Sequence, residues 1–254
     1  MEAAMQDHIL KTKGLSRRFG GFVAVDNVDL TIKRGDIHAL IGPNGAGKTT
    51  CFNLITKMLQ PSSGTINYDG QDITRAKADK VARDGLVRSF QISAVFPHLT
   101  ALENVRLALQ RPTGLTFQFW RSDRVLRGYD AQAKDLLGQV GLSEYVHVPA
   151  VELSYGRKRA LEIATTLALA PKLMLLDEPM AGMGREDISR VTDLIRKVAA
   201  NRTILMVEHN LQVVATLSDR ITVLQRGAVL AEGSYAEVSK DPDVLQAYMG
   251  AADV

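Results

Sequence analysis

The stretch Gly42-Pro43-Asn44-Gly45-Ala46-Gly47-Lys48-Thr49-Thr50 lies between a strand-like run at residues 36–41 and a helix-like run at residues 48–59. Glycine, four residues, then Gly-Lys-Ser/Thr is the pattern of a phosphate-binding loop, and its chemistry requires a strand before it and a helix after it. The glycines let successive backbone N–H groups point inward at phosphate oxygens without Cβ clashes. The helix that starts near Lys48 adds the positive end of its dipole at the same point. Gly42, Pro43, Asn44, Gly45, Ala46, Gly47, Lys48, Thr49 and Thr50 are therefore the expected cradle for a nucleotide's phosphates. Lys48 would reach the β- and γ-phosphates and the Thr49 hydroxyl would ligate Mg²⁺.

Outward from the loop, glycines and prolines divide the chain into short apolar runs that alternate with longer amphipathic ones. That is the layout of an α/β domain with a largely parallel sheet. Residues 172–176 and 203–207 are compact apolar runs of the kind buried between helix layers. Between them, Ile188, Val191, Leu194, Ile195 and Val198 recur at helical spacing over residues 187–199, so one face can cover the sheet. Two regions depart from this layout. Residues 9–35 and 63–73 hold β-type runs with turn signals at Gly20-Gly21 and Asp69-Gly70, which predicts an antiparallel β flank. Residues 100–170 hold only helix-like segments, which predicts a helical subdomain at about residues 98–170 inserted in one domain spanning residues 1–254. Residues 221–224 and 228–231 flank Arg226-Gly227 as a hairpin.

The run Leu173-Met174-Leu175-Leu176 ends in Asp177-Glu178. A buried strand with this ending delivers carboxylates to the C-terminal edge of the sheet, where ligands bind in open α/β sheets. Asp177 would hold Mg²⁺, directly or through water, and Glu178 would orient or deprotonate an attacking water. Two adjacent acids also fit a solvated turn; their pairing with the phosphate loop favours the chemical role.

Composition narrows the classes. With 46% hydrophobic and 23% charged residues among 254, the chain can build a core and is neither disordered nor disulfide-stapled. No stretch approaches the roughly 18–20 apolar residues of a membrane helix. The first residues carry Glu2 and Asp7 and show no export signal. A single cysteine, Cys51, makes no internal disulfide, which agrees with a reducing compartment; it is expected to pack in the first helix turn. The net charge of +3 is no nucleic-acid footprint.

Leu153-Ser154-Tyr155-Gly156-Arg157 resembles the signature motif of the ABC ATPase family, whose commonest form is Leu-Ser-Gly-Gly-Gln. Gln91 in Ser89-Phe90-Gln91 is similar to the family's Q-loop glutamine, and His209 in Val207-Glu208-His209 to its switch histidine. Phe19 in Arg18-Phe19-Gly20-Gly21 resembles the aromatic that stacks on adenine. Taken alone, Phe19 also fits β-flank packing, His209 a core histidine and Gln91 an ordinary loop amide. Together the motifs keep family order and spacing from about residue 9 to residue 250. The resemblance implies a P-loop NTPase core of ABC type that binds ATP and Mg²⁺. It implies catalytic roles for Glu178, His209 and Gln91, and metal ligation by Thr49, Gln91 and Asp177. In this family two domains meet head to tail, with each ATP between the phosphate loop of one and the signature of the other. Ser154 and the N–H of Gly156, at the start of a helix at residues 157–170, would contact the γ-phosphate held by the partner. One chain has one loop and one signature, so a second ATPase subunit is implied, identical or paralogous. Three departures stand out: Tyr155 and Arg157 replace the commonest Gly and Gln, Gly184 stands where Asp or Asn is frequent, and Phe19 lacks a phenolic hydroxyl.

Leu161-Glu162-Ile163-Ala164, Pro179-Met180-Ala181-Gly182-Met183 and Val244-Leu245-Gln246-Ala247-Tyr248-Met249-Gly250 are similar to the ATPases of branched-chain amino acid importers and their urea/amide relatives. That branch implies transmembrane permease subunits, a periplasmic solute-binding protein acting through them, no nucleic-acid partner, and a peripheral place on the cytoplasmic face of the inner membrane. Soluble ATPases of iron–sulfur cluster assembly and ATPases of lipid or lipopolysaccharide exporters are the alternatives. Residues 111–127 concentrate Arg111, Arg121, Arg124 and Arg127 against Asp123 alone, together with Phe117, Phe119 and Trp120. They are expected either as a helix with a solvated arginine face or as a docking surface for permease or anionic lipid.

Overall fold

The computed structural model describes residues 7–89, 95–110 and 128–249. The chain opens with β1 (His8–Phe19), β2 (Phe22–Val28), β3 (Thr31–Lys33) and β4 (Ile37–Ile41), and after the phosphate loop comes α1 (Lys48–Ile55). Next are β5 (Ser63–Tyr68), β6 (Gln71–Asp72), α2 (Ala78–Arg83) and β7 (Leu86–Ser89). A helical stretch follows, with α3 (Ala101–Gln110), α4 (Asp130–Gln139) and α5 (Tyr155–Leu167), and short 3-10 turns at Ser143–Tyr145 and Ala150–Glu152. The chain then runs through β8 (Leu173–Asp177), α6 (Arg185–Ala199), β9 (Thr203–Val207) and α7 (Leu211–Leu217). It closes with β10 (Arg220–Gln225), β11 (Ala228–Gly233), α8 (Tyr235–Val238) and α9 (Pro242–Met249).

Two sheets result. The larger has the order β11-β10-β4-β9-β8-β7, parallel from β10 to β7, with β11 antiparallel at one edge. The smaller is antiparallel, β2-β1-β5-β6 with β3 also on β1. Every residue of β4, β8 and β9 is buried, as parallel strands covered on both faces must be. Their side chains alternate between two cores. Ile37, Ala39, Ile41, Met174, Leu176, Ile204 and Met206 face the helices α3 to α7. Leu40, Leu173, Leu175, Leu205 and Val207 face α1 and the antiparallel sheet. The fold is therefore the α/β core with a β flank and an inserted helical part that the sequence implies.

Helix ends differ from expectation in three places. The helix expected at residues 48–59 stops at Ile55, because Lys57 takes φ +62° and its ammonium reaches the Thr74 carbonyl at 2.6 Å. The helix expected at residues 157–170 begins at Tyr155 with Ser154 as N-cap and ends at Leu167, before Ala170 turns to φ +48° ahead of Pro171. Helix α6 starts at Arg185, with Glu186 and Asp187 in its first turn and Arg196 and Lys197 in its last, each favoured by the dipole. The hairpin is closed by Arg226 and Gly227 at φ +49° and +85°, the left-handed pair that matches strand twist. Gln91 and residues 111–127 lie outside the described residues.

Candidate functional site

The phosphate loop leaves the centre of the large sheet, between β10 and β9, and Gly42 and Gly47 answer to close backbone contacts. A Cβ on Gly42, at φ +147°, would lie 2.1 Å from the Leu224 carbonyl oxygen. One on Gly47, at φ +99°, would lie 2.5 Å from the Ala24 carbonyl oxygen. The C-terminal hairpin braces the loop from behind: Gly227 N–H donates to Ala46 O at 3.0 Å, and Asp26 N–H donates to Gly227 O at 2.8 Å. Lys48 Nζ donates to Gly42 O at 2.7 Å and Pro43 O at 2.9 Å, which holds the ammonium across the loop. Burial lowers the Lys48 pKa, and the charge of Glu178 opposes that shift. Asn44, Gly45 and Thr49 are exposed and Thr50 is half-buried at the start of α1. Beside the loop, Pro43 to Ala46 together with Gln225, Arg226, Gln246 and Ala247 line a cleft of about 490 Å³.

Asp177 ends β8 opposite Val207 of β9 and is 2% exposed. Its Oδ2 is ion-paired with Arg88 Nη2, and Arg88 Nη1 donates to Asn53 Oδ1 at 2.6 Å, which ties β7, β8 and α1 together. Glu178 follows at φ +45°, a left-handed conformation that a non-glycine residue keeps only when its surroundings hold it there. They do: Glu178 N–H donates to Val207 O at 2.9 Å, and Ala181 N–H donates to Glu178 O at 3.1 Å. The buried Arg159 of α5 donates to Pro179 O at 3.1 Å, Asp177 O at 3.1 Å and Glu178 O at 3.2 Å, while its Nη1 pairs with Glu162 Oε2 at 2.5 Å.

His209 follows β9 with an exposed side chain and a fixed backbone. Glu208 is buried, and its Oε1 accepts the N–H groups of His209 and Asn210 at 3.2 Å each. Burial raises the Glu208 pKa against the pull of those N–H groups. Asn210 Oδ1 in turn caps α7 by accepting from Gln212 N–H and Val213 N–H. Lys48, Asp177, Glu178 and His209 thus collect at the C-terminal edge of the parallel strands. Phe19 is exposed at the tip of the antiparallel sheet, with the Arg17 guanidinium 4.6 Å from its ring centroid.

The signature residues occupy the start of α5. Ser154 is exposed and makes no side-chain cap bond to its own helix. A Cβ on Gly156 would lie 2.5 Å from Asp187 Oδ1 on α6, so any side chain there would have to displace that carboxylate. Arg157 stacks its guanidinium 4.1 Å from the Tyr145 ring centroid, which accounts for that departure from the commonest motif. Tyr155 donates its hydroxyl to Ala181 O at 3.0 Å. Arg88 and Arg159 were not anticipated from sequence; the available signal was an arginine inside an otherwise apolar buried strand, and an Arg-Glu pair at i,i+3 on a buried helix.

A phosphate loop that opens from the central strand, with two acids at the end of a neighbouring strand, defines a P-loop nucleotide-binding domain. A family model described as ABC transporter matches residues 25–181, and the chain belongs to that family. A model described as branched-chain amino acid ATP-binding cassette transporter matches residues 228–254, the hairpin strand and the C-terminal helices. The chain is 39% identical to the high-affinity branched-chain amino acid transport ATP-binding protein BraF of Pseudomonas aeruginosa, over 98% of this chain and 100% of that protein. Among solved structures, it is similar to the ADP conformation of MJ1267, an ATP-binding cassette of an ABC transporter, with TM-score 0.85 and 30% identity over 96% of this chain and 99% of that one. It is also similar to the dimeric post-hydrolysis state of the ATP-binding cassette MJ0796 bound to ADP and Pi, with TM-score 0.72 and 27% identity over 89% of this chain and 98% of that one.

Proposed function

We propose that this chain is the ATP-hydrolysing subunit of an importer for branched-chain amino acids or related small polar solutes. It acts as a dimer with a second ATPase subunit, on the cytoplasmic face of the inner membrane. There it drives permease subunits that receive solute from a periplasmic binding protein. The observation that carries the catalytic part is topological: the phosphate loop follows the end of β4 and Asp177-Glu178 stand at the end of β8, both at the C-terminal edge of one parallel sheet. The solute class rests on the likeness to BraF and on the match over residues 228–254.

In this reading the backbone N–H groups of the loop at residues 42–50, Pro43 having none, bind the phosphates together with Lys48, and Phe19 stacks on adenine. Glu178 accepts the proton of the attacking water, and His209 and Gln91 contact the γ-phosphate side. Ser154 and Gly156 close on the nucleotide held by the partner. The donor set suits Mg²⁺, which favours oxygen ligands and is bound together with substrate phosphates and waters rather than in a protein cage. Thr49, Gln91 and Asp177 would hold it, and among the described residues no cluster of three or more His, Cys, Asp or Glu offers a separate metal site. When bound, the ion neutralises charge that develops on the phosphates.

Glu178→Gln is expected to keep ATP binding, lose turnover and accumulate an ATP-bound dimer on size-exclusion chromatography. Phosphate release at the wild-type rate would remove Glu178 from the catalytic role. For the solute, the complex purified from its native membrane is reconstituted and assayed for ATP hydrolysis with each candidate. Stimulation by leucine, isoleucine or valine supports the assignment, and stimulation by an unrelated solute alone overturns it.

A further inference from the structure

Tyr155 stands where the commonest signature motif has glycine, and a glycine could make neither of the contacts seen here. The side chain is 53% exposed, so core packing does not account for it. Its hydroxyl donates to Ala181 O at 3.0 Å. Its ring lies over Gly182, at φ +75°, where a Cβ would meet the phenol oxygen and ring at 3.5–3.9 Å. Ala181 N–H in turn donates to Glu178 O at 3.1 Å. Two hydrogen bonds therefore lead from the signature residue to the catalytic carboxylate's own backbone.

One helical turn further along α5, on the same face, Arg159 holds the carbonyls of Asp177, Glu178 and Pro179. Tyr155 and Arg159 together hold residues 177–182 along their length, including the left-handed Glu178 at φ +45°. A small rotation of the start of α5 would be passed to that turn, because the bonds are numerous and end on backbone carbonyls.

We propose that Tyr155 is a positioning residue that couples the signature loop of one protomer to Glu178 of the same protomer. Nucleotide that the partner presses against Ser154 and Gly156 then sets the rate of hydrolysis at the protomer's own site. The proposal rests on the dimeric ATPase function stated above. It gives Tyr155 no contact with nucleotide, and it makes the two ATP sites of a dimer interdependent.

The test is Tyr155→Phe, which keeps the ring and deletes the one hydroxyl, with Tyr155→Gly to restore the commonest motif. Steady-state ATP hydrolysis is measured over a range of ATP concentrations for each full-length chain, alongside thermal unfolding. The wild type is expected to hydrolyse ATP with a Hill coefficient above 1, the limit for two sites being about 2. In both variants kcat should fall about threefold to tenfold, the scale of one lost hydrogen bond. The KM for ATP should stay within about twofold, and the Hill coefficient should drop toward 1. Wild-type kcat and cooperativity in Tyr155→Phe would overturn the coupling. So would a fall in kcat that leaves the Hill coefficient at its wild-type value, which marks a merely structural contact. A wild-type chain that neither binds nor hydrolyses ATP would instead sink the ATPase function itself, and the coupling with it.

Discussion

Arg88→Met separates what the ion pair with Asp177 contributes from what the surrounding packing contributes. The two side chains are 10% and 3% exposed, so neither charge has water to fall back on. Methionine keeps an unbranched apolar stem beside Phe52, whose ring centroid is 5.7 Å from the guanidinium, and removes the charge and the donors to Asp177 and Asn53. Breaking a buried pair by removing one partner costs about 3–5 kcal/mol, chiefly because the remaining charge stays buried and unpaired. In a chain of this size each kcal/mol moves Tm by about 2–4 °C, so a fall of roughly 6–20 °C is expected. The assay is urea and thermal unfolding by circular dichroism at pH 7 in EDTA, without nucleotide, for wild type, Arg88→Met, Asp177→Asn and the double variant. The double variant should recover much of the loss, since no lone charge remains. The coupling energy should then reach about 2–3 kcal/mol, near the top of the range for residues in direct contact. A coupling below about 0.5 kcal/mol would refute the reasoning, as would Arg88→Met unfolding within about 1 kcal/mol of wild type.

Two further outcomes concern groups away from the C-terminal edge of the parallel strands. His38 is fully buried on β4, with Nε2 2.8 Å from Thr222 Oγ1, and burial lowers its pKa from 6.5 to about 4, against the pull of Glu232. Between those two values the unfolded chain binds a proton that the folded chain refuses. Stability is therefore full above pH 6.5 and falls as the pH drops toward about 4, by about 3 kcal/mol from this group. Urea unfolding of His38→Leu at several pH values should show a flatter acid slope than wild type, and an unchanged slope would reject it. Cys51 is buried and its thiol is pushed up to about 12, so the native chain should resist a thiol reagent at pH 8 while the urea-unfolded chain reacts fully. Prompt labelling of the native chain would contradict that burial.

The phosphate loop, the parallel strands and Asp177-Glu178 were legible in the sequence because each is a local requirement. Glycine at fixed spacing meets backbone demands within nine residues, and a buried parallel strand reads as an unbroken apolar run. Helix ends were less legible, as at Lys57, where a tertiary contact to Thr74 helps end α1 before the helical pattern stops. The C-terminal hairpin was expected, but not its position behind the loop, where Gly227 and Leu224 confine Ala46 and Gly42.

By itself, then, the sequence determined which residues could bind phosphate and which acids could stand beside it, since those patterns need only neighbouring positions. The tertiary structure alone decided what holds them. Arg88 meets Asp177 across 89 residues, Arg159 meets the turn at Glu178, Tyr155 meets Ala181 and Gly156 meets Asp187. Such contacts depend on strand register and on the rotation of α5 against the sheet. No local periodicity encodes either quantity to the fraction of an ångström that a hydrogen bond requires.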